Sequence, residues 1–216
     1  IMSNLHGHIR RSTMKTPKII WRGNPLPQIT DNNSAADSNE DAEAIIIAAV
    51  KDAEILARAG LQHLNRAWDR KRRKRVEFWK NDPVLSEWFG SEKVTVRQIR
   101  VTRRRMRRVH NFLANKRLRV RLKKQKGANT NAHNYGGPFS PKTFVLFPRW
   151  FSKSAVERPA IIVHELFHEW FIDHKDKQGN KYGAEAARNI ARQKPRVARR
   201  NPENYEHYVL DFIDSL

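Results

Sequence analysis

A chain of 216 residues is long enough for one substantial domain, and the absence of cysteine removes disulfides and thiolate metal ligands, leaving His, Asp and Glu as metal-binding candidates. With 43 Lys and Arg against 22 Asp and Glu, the formal net charge of +21 creates a field that draws polyanions; a nucleic-acid contact through this basic surface is one expectation and a solvated, solubilising face the other. No run approaches the roughly 18 apolar residues of a membrane span. The first residues carry charge without the apolar core of a signal peptide, so the chain reads as soluble, secreted or delivered by a route with no visible signal.

Residues 1–36 mix basic residues with Pro25, Pro27, Asn and Ser without periodicity, and read as an irregular arm. From 37 to 216 one domain is expected, helical over 37–116 and holding a sheet and the functional residues over 117–216. A capping-box pattern at Ser38-Asn39-Glu40-Asp41 precedes a helix over 42–68, where Ile46, Ala49, Val50, Ala53, Leu56, Ala57, Leu61 and Leu64 recur at helical spacing. The basic run 70–75 then leads into Phe78, Trp79, Trp88 and Phe89, punctuated by Pro83 and Gly90. Basic residues beside aromatics suit single-stranded nucleic acid, while aromatics at this spacing suit a core. A helix over 94–115 is carried by Val96, Ile99, Met106, Val109 and Leu113, with Arg100, Arg103, Arg104, Arg105, Arg107 and Arg108 on its other face.

Over 117–124 the period changes to two, Leu118, Val120 and Leu122 opposing Arg117, Arg119 and Arg121, as on a half-buried strand. A polar loop over 127–138 holds His133, Tyr135, Gly136 and Gly137, and a second strand over 143–147 ends at Pro148. Helices, then a small antiparallel sheet, then a further helix predict an α+β architecture that is mostly helical.

That further helix carries His164-Glu165-Leu166-Phe167-His168, a His-Glu-x-x-His motif among Ile161, Ile162, Trp170 and Phe171, with Pro159 near its start. Histidines four residues apart share a helix face and can place two imidazole nitrogens on one Zn²⁺, while Glu165 stands where a general base on a metal-activated water is needed. The plainer alternative is two ordinary helix histidines. A catalytic zinc usually has three protein ligands, so a third is sought beyond His168 among Asp173, His174, Asp176 and Glu185. His174 has the spacing of a metzincin ligand, but Phe171 stands where that motif requires glycine.

Downstream, Tyr182-Gly183-Ala184-Glu185-Ala186-Ala187-Arg188, then Pro195 and Ala198, then Asn201-Pro202-Glu203-Asn204-Tyr205-Glu206-His207-Tyr208 resemble the C-terminal half of the aspzincin metallopeptidases, the deuterolysins and peptidyl-Lys metalloendopeptidases. The resemblance spans about 40–216 and is specific after Phe144. It implies a zincin-like domain with the motif helix at the active-site cleft, a Zn²⁺ cofactor, and a metalloendopeptidase hydrolysing bonds in protein or peptide substrates. Where the family has its Asp ligand this chain has Gly179, and the family's Gly-Thr is missing. Asp176 is therefore taken as the third ligand, ahead of Asp173 and Glu185.

The family's layout also implies roles for three further residues. Tyr182 matches the tyrosine that lies at the site, where it would donate to the developing oxyanion or else serve as a core tyrosine. Glu203 and Glu206 match acidic residues that, in peptidyl-Lys members, line the pocket for lysine on the amine side of the scissile bond. Both could equally pair with Arg196, Arg199 or Arg200. Two competing readings stand beside the peptidase: a basic nucleic-acid-binding protein whose metal site is structural or vestigial, and a peptidase domain delivered as a toxin or effector.

Overall fold

The long apolar stripe after residue 38 needs a partner surface, and a second helix with the complementary ridge supplies it. In a computed structural model, described over residues 15–21, 39–123, 131–134, 143–171 and 183–216, the stripe forms α1 (Asn39–Trp68), which buries Ala42, Ile46, Ala49, Val50, Ala53, Leu56, Ala57 and Leu64. These residues pack against Ile99, Thr102, Met106, Val109 and Leu113 of α4 (Val96–Asn115). A reciprocal cap starts α4: the Thr95 hydroxyl accepts from the Gln98 amide at 3.3 Å, and the Gln98 side chain accepts from the Thr95 amide at 2.9 Å.

The six arginines expected on the outer face of α4 divide between solvent and interior. Arg100, Arg104, Arg107 and Arg108 are exposed, whereas Arg103 donates to Asn65 at 2.6 Å and Arg105 donates to the carbonyl of Arg199.

Between α1 and α4 lie α2 (Arg72–Asn81) and α3 (Pro83–Phe89), broken at Asp82 by the following proline. Asp82 accepts from the Leu85 amide at 2.9 Å and meets His63 at 3.0 Å, and His63 in turn meets the Tyr208 hydroxyl at 3.1 Å. Trp79, Trp88 and Phe89 are buried, so these aromatics belong to the core and offer no stacking platform for bases. After α3 the chain turns at Gly90, at φ +71°, and a β-carbon there would collide with the Ala191 carbonyl and lie 2.7 Å from Pro195.

The sheet, expected to be antiparallel, is mixed and mainly parallel. Its strands are β1 (Lys18–Trp21), β2 (Arg119–Leu122), β3 (Ala132–Asn134) and β4 (Thr143–Leu146), in the order β1-β2-β4-β3. β1 and β4 both run parallel to β2, and only β3 is antiparallel, to β4. The arm read as irregular contributes β1, and the polar loop contributes β3. Placing β3 on the far side of β4 makes β4 the return stroke, which restores the direction of β2. The alternation of Val120 and Leu122 with Arg119 and Arg121 is the same whichever way a neighbour runs, so it carries no information on strand direction.

The remaining helices are α5 (Pro148–Phe151), α6 (Glu157–Phe171), α7 (Ala184–Gln193), α8 (Pro195–Ala198) and α9 (Pro202–Leu210). A 3₁₀ turn over Ile213–Ser215 follows. Among the described residues no helix is long and apolar enough to cross a membrane.

Ser154 and Glu157 hold the start of α6 reciprocally: the Ser154 hydroxyl accepts from the Glu157 amide at 3.2 Å, and the Glu157 carboxylate accepts from the Ser154 amide at 3.1 Å. Partial burial pushes the Glu157 pKa up, but hydrogen bonds from Ser154 and Lys153 outweigh it and hold the group below its ordinary value. A carboxylate depressed in the folded state stabilises it above the unfolded value of about 4.3, and that contribution is lost as pH falls through the folded value.

Ser154→Ala is expected to lower stability by about 1 kcal/mol in chemical denaturation. Glu157→Gln should remove part of the stability lost on acidification below about pH 4.3. Gly90→Ala is expected to cost about 2 kcal/mol or more, since both the positive φ and the Ala191 backbone resist the new methyl group.

Candidate metal centre

The motif helix is apolar on the faces it must bury. Ile161, Ile162, Val163, Leu166 and Phe167 of α6 are buried, and the helix packs against α1 on one flank and α9 on the other, next to β3. Phe167 stacks on Tyr205 of α9, ring centres 3.9 Å apart and planes at 20°. This packing leaves the His164 and His168 side of the helix to carry chemistry. One turn apart, the two imidazoles converge, their Nε2 atoms separated by 3.0 Å. Glu165, beside the first histidine, is buried as well.

Behind His164 stand the two carboxylates of α9. The Glu206 Oε2 atom approaches the His164 Nδ1 atom to 2.7 Å, and the Glu203 Oε2 atom lies 3.4 Å from the same nitrogen. Glu203 turns its other oxygen to the Gly183 amide, which donates at 2.6 Å, and to His207 at 3.3 Å. Burial alone would push the His164 pKa down, but Glu206, helped by Glu165 and Glu203, pushes it up to about 9. Burial likewise raises Glu203, and the His207 side chain, the charge of His164 and the Gly183 amide together hold it below the ordinary carboxylate range.

The sites named from sequence separate into three groups. His164, Glu165 and His168 lie together on α6, and Glu203 and Glu206 are brought against them from α9. Asp173, His174, Asp176 and Tyr182 lie outside the described residues. Glu185 is exposed in the first turn of α7. The alternative pairing of the two glutamates with nearby arginines gives way to His164 and His207: Arg199 instead donates to the carbonyls of Gly90 at 3.0 Å and Glu92 at 2.9 Å.

The approach of both carboxylates to one histidine was not read from the sequence. Their i, i+3 spacing gives a shared helix face but says nothing of what that face meets. Gly183 and His207, which hold Glu203, were likewise missed.

Two donor sets can hold a cation, and both use His164. On one side its Nε2 atom faces the Nε2 atom of His168. On the other its Nδ1 atom groups with Glu203 and Glu206, the ligand atoms all within 4.8 Å of one another. Imidazole nitrogen and carboxylate oxygen are the donors that Zn²⁺ accepts when no thiolate is present.

Comparison with known proteins agrees with this chemistry. A family model described as lysine-specific metallo-endopeptidase, of the aspzincin group, matches residues 78–210. A solved zinc peptidase from Grifola frondosa has the same fold, with a TM-score of 0.60 and 19% identity over 81% of this chain and 97% of its own. No curated protein matches the chain in sequence. The family match runs from within α2 to the end of α9, through both helices that build the centre, and the chain belongs to the aspzincin family of zinc metallo-endopeptidases.

Proposed function

We propose that the chain hydrolyses peptide bonds with lysine on the amine side, in protein or peptide substrates, using a zinc ion held by His164, His168 and Asp176. The observation that carries this reading is the convergence of two Nε2 atoms to 3.0 Å on a buried helix. Atoms bonded to one tetrahedral zinc at about 2.0–2.1 Å lie about 3.3 Å apart, so the pair needs only a few tenths of an ångström of adjustment. The opposite side of His164 fits less well, because the 2.7 Å ion-pair distance between Nδ1 and Glu206 is shorter than the separation of two atoms bonded to one tetrahedral zinc.

When bound, zinc supplies Lewis acidity, lowering the pKa of water at its open position and polarising the scissile carbonyl. Glu165 is the general base. Adjacent to His164 and buried, it takes the proton as water attacks and passes it to the leaving amine, a role worth about 10²–10⁴-fold in rate. Tyr182 donates a hydrogen bond to the developing oxyanion. Asp176 is the third ligand because Gly179 occupies the family's ligand position.

Lysine selection rests on charge. On a protein of net charge +21, the two carboxylates of Glu203 and Glu206 form a local acidic site next to the histidine pair, suited to an ammonium group.

Treatment with a chelator is expected to abolish cleavage of an unfolded protein substrate. Glu165→Gln should lower kcat by about 10²–10⁴-fold while the zinc content measured by atomic absorption stays near one per chain. Full activity in that variant would remove Glu165 from the mechanism. Asp176→Ala should weaken zinc binding in a chelator competition, whereas Asp173→Ala should not. In a peptide series varied only at the residue after the cleaved bond, Glu203→Gln should reduce the kcat/KM preference for lysine over leucine by roughly 10- to 100-fold.

A further inference from the structure

The aromatic side chain that closes α1 is covered by arginine. The guanidinium of Arg75, from α2, lies over the Trp68 ring at 3.8 Å, and that of Arg103, from α4, lies over the same ring at 5.5 Å. We propose that this corner and the arginine face of α4 that runs out from it form a docking surface for the phosphate backbone of a nucleic-acid duplex, bound without regard to base sequence.

α4 carries seven arginines and no acidic residue. Arg97, Arg100, Arg104 and Arg107 recur at i, i+3, i+7 and i+10, are all exposed, and share one face over about 15 Å of helix. Arg103 borders that face, one turn before Arg107. Two of the guanidinium groups are fixed in advance: Arg103 donates to the Asn65 side-chain oxygen at 2.6 Å, and Arg75 donates to the Arg70 carbonyl at 3.0 Å. Partial burial and then the charge of Arg107 lower the Arg103 pKa, with Arg75 adding to them and Asp69 opposing. Like charges held this close on packed helices repel, and an anion laid across them relieves the repulsion.

The chemistry of the face selects the partner. A guanidinium presents a planar fork that matches phosphate oxygens, and α4 uses arginine with no lysine. A bilayer needs apolar side chains to insert, and the core of a protein–protein interface is depleted in charge. Among the described residues the only exposed large apolar side chain is Leu216, which is not on α1, α2 or α4. Single strands need bare aromatic faces on which bases stack, and here Trp68 lies under Arg75 while Trp79 is buried. The regular charge of a duplex backbone needs neither.

The test is binding of the full chain to a fluorescently labelled DNA duplex of about 20 base pairs, followed by anisotropy across a salt series. Two duplexes of unrelated sequence are expected to bind alike, with the logarithm of affinity falling linearly with the logarithm of salt concentration. Arg100→Gln, Arg104→Gln and Arg107→Gln combined should reduce that slope by about 2–3 and weaken binding about 10-fold, and Arg104→Gln alone should reduce it by about 1. The same loss of charge at the exposed Arg192, Arg196 and Arg200 should leave slope and affinity near wild type. Equal losses in the two triple variants overturn the proposal, as does a wild-type chain that binds no duplex. Tighter binding to phosphatidylserine vesicles than to the duplex at the same salt also overturns it, as does a marked preference for one of the two sequences.

Discussion

A helix that carries two histidines and a glutamate on one side must bury the rest of itself, and here the burying partner decides what the site can do. α6 is wedged between α1 and α9, and the Phe167–Tyr205 stack at 3.9 Å sets the depth and rotation of the contact with α9. Because Tyr205 sits between Glu203 and Glu206 in sequence, the same contact that packs the core also delivers both carboxylates to His164. Packing and electrostatics are thus one constraint, since moving α9 to relieve either would disturb the other.

The acidic pair also resolves a conflict of charge. Burying His164 and Glu203 in so basic a chain would be costly if each stood alone, because a desolvated charge without a partner is among the most destabilising features a core can hold. Placed against each other, with Gly183 and His207 completing the set around Glu203, they compensate. Part of the basic surplus lies on the exposed face of α4, where Arg100, Arg104, Arg107 and Arg108 meet solvent.

α9 is held in its turn by groups that look unremarkable in sequence. His63 of α1 bridges Asp82, at the break between α2 and α3, to Tyr208 of α9, with contacts of 3.0 and 3.1 Å. Gly90 lets the chain leave α3 close under Ala191 and Pro195, and its carbonyl accepts from Trp79 at 3.1 Å and from Arg199 at 3.0 Å. The helical layer is therefore the frame on which α9 carries its two glutamates.

The long helices α1 and α4, the motif helix α6, the apolar face of α1 and the shared face of His164 and His168 were legible in the sequence because each depends on local periodicity or on an i, i+4 spacing that any α-helix enforces. The family was legible as well, since its signature is a set of short segments in fixed order. Strand direction was not, because side-chain alternation is identical in parallel and antiparallel pairs and only the placement of β3 beyond β4 decides it. Lys18–Trp21 gave no signal as a strand, having no pattern of its own until β2 offered it an edge. What Glu206 faces was equally hidden: its spacing from Glu203 marks one side of a helix, but it lies 42 positions after His164 in the chain, and only the packing of α9 on α6 brings the two to 2.7 Å.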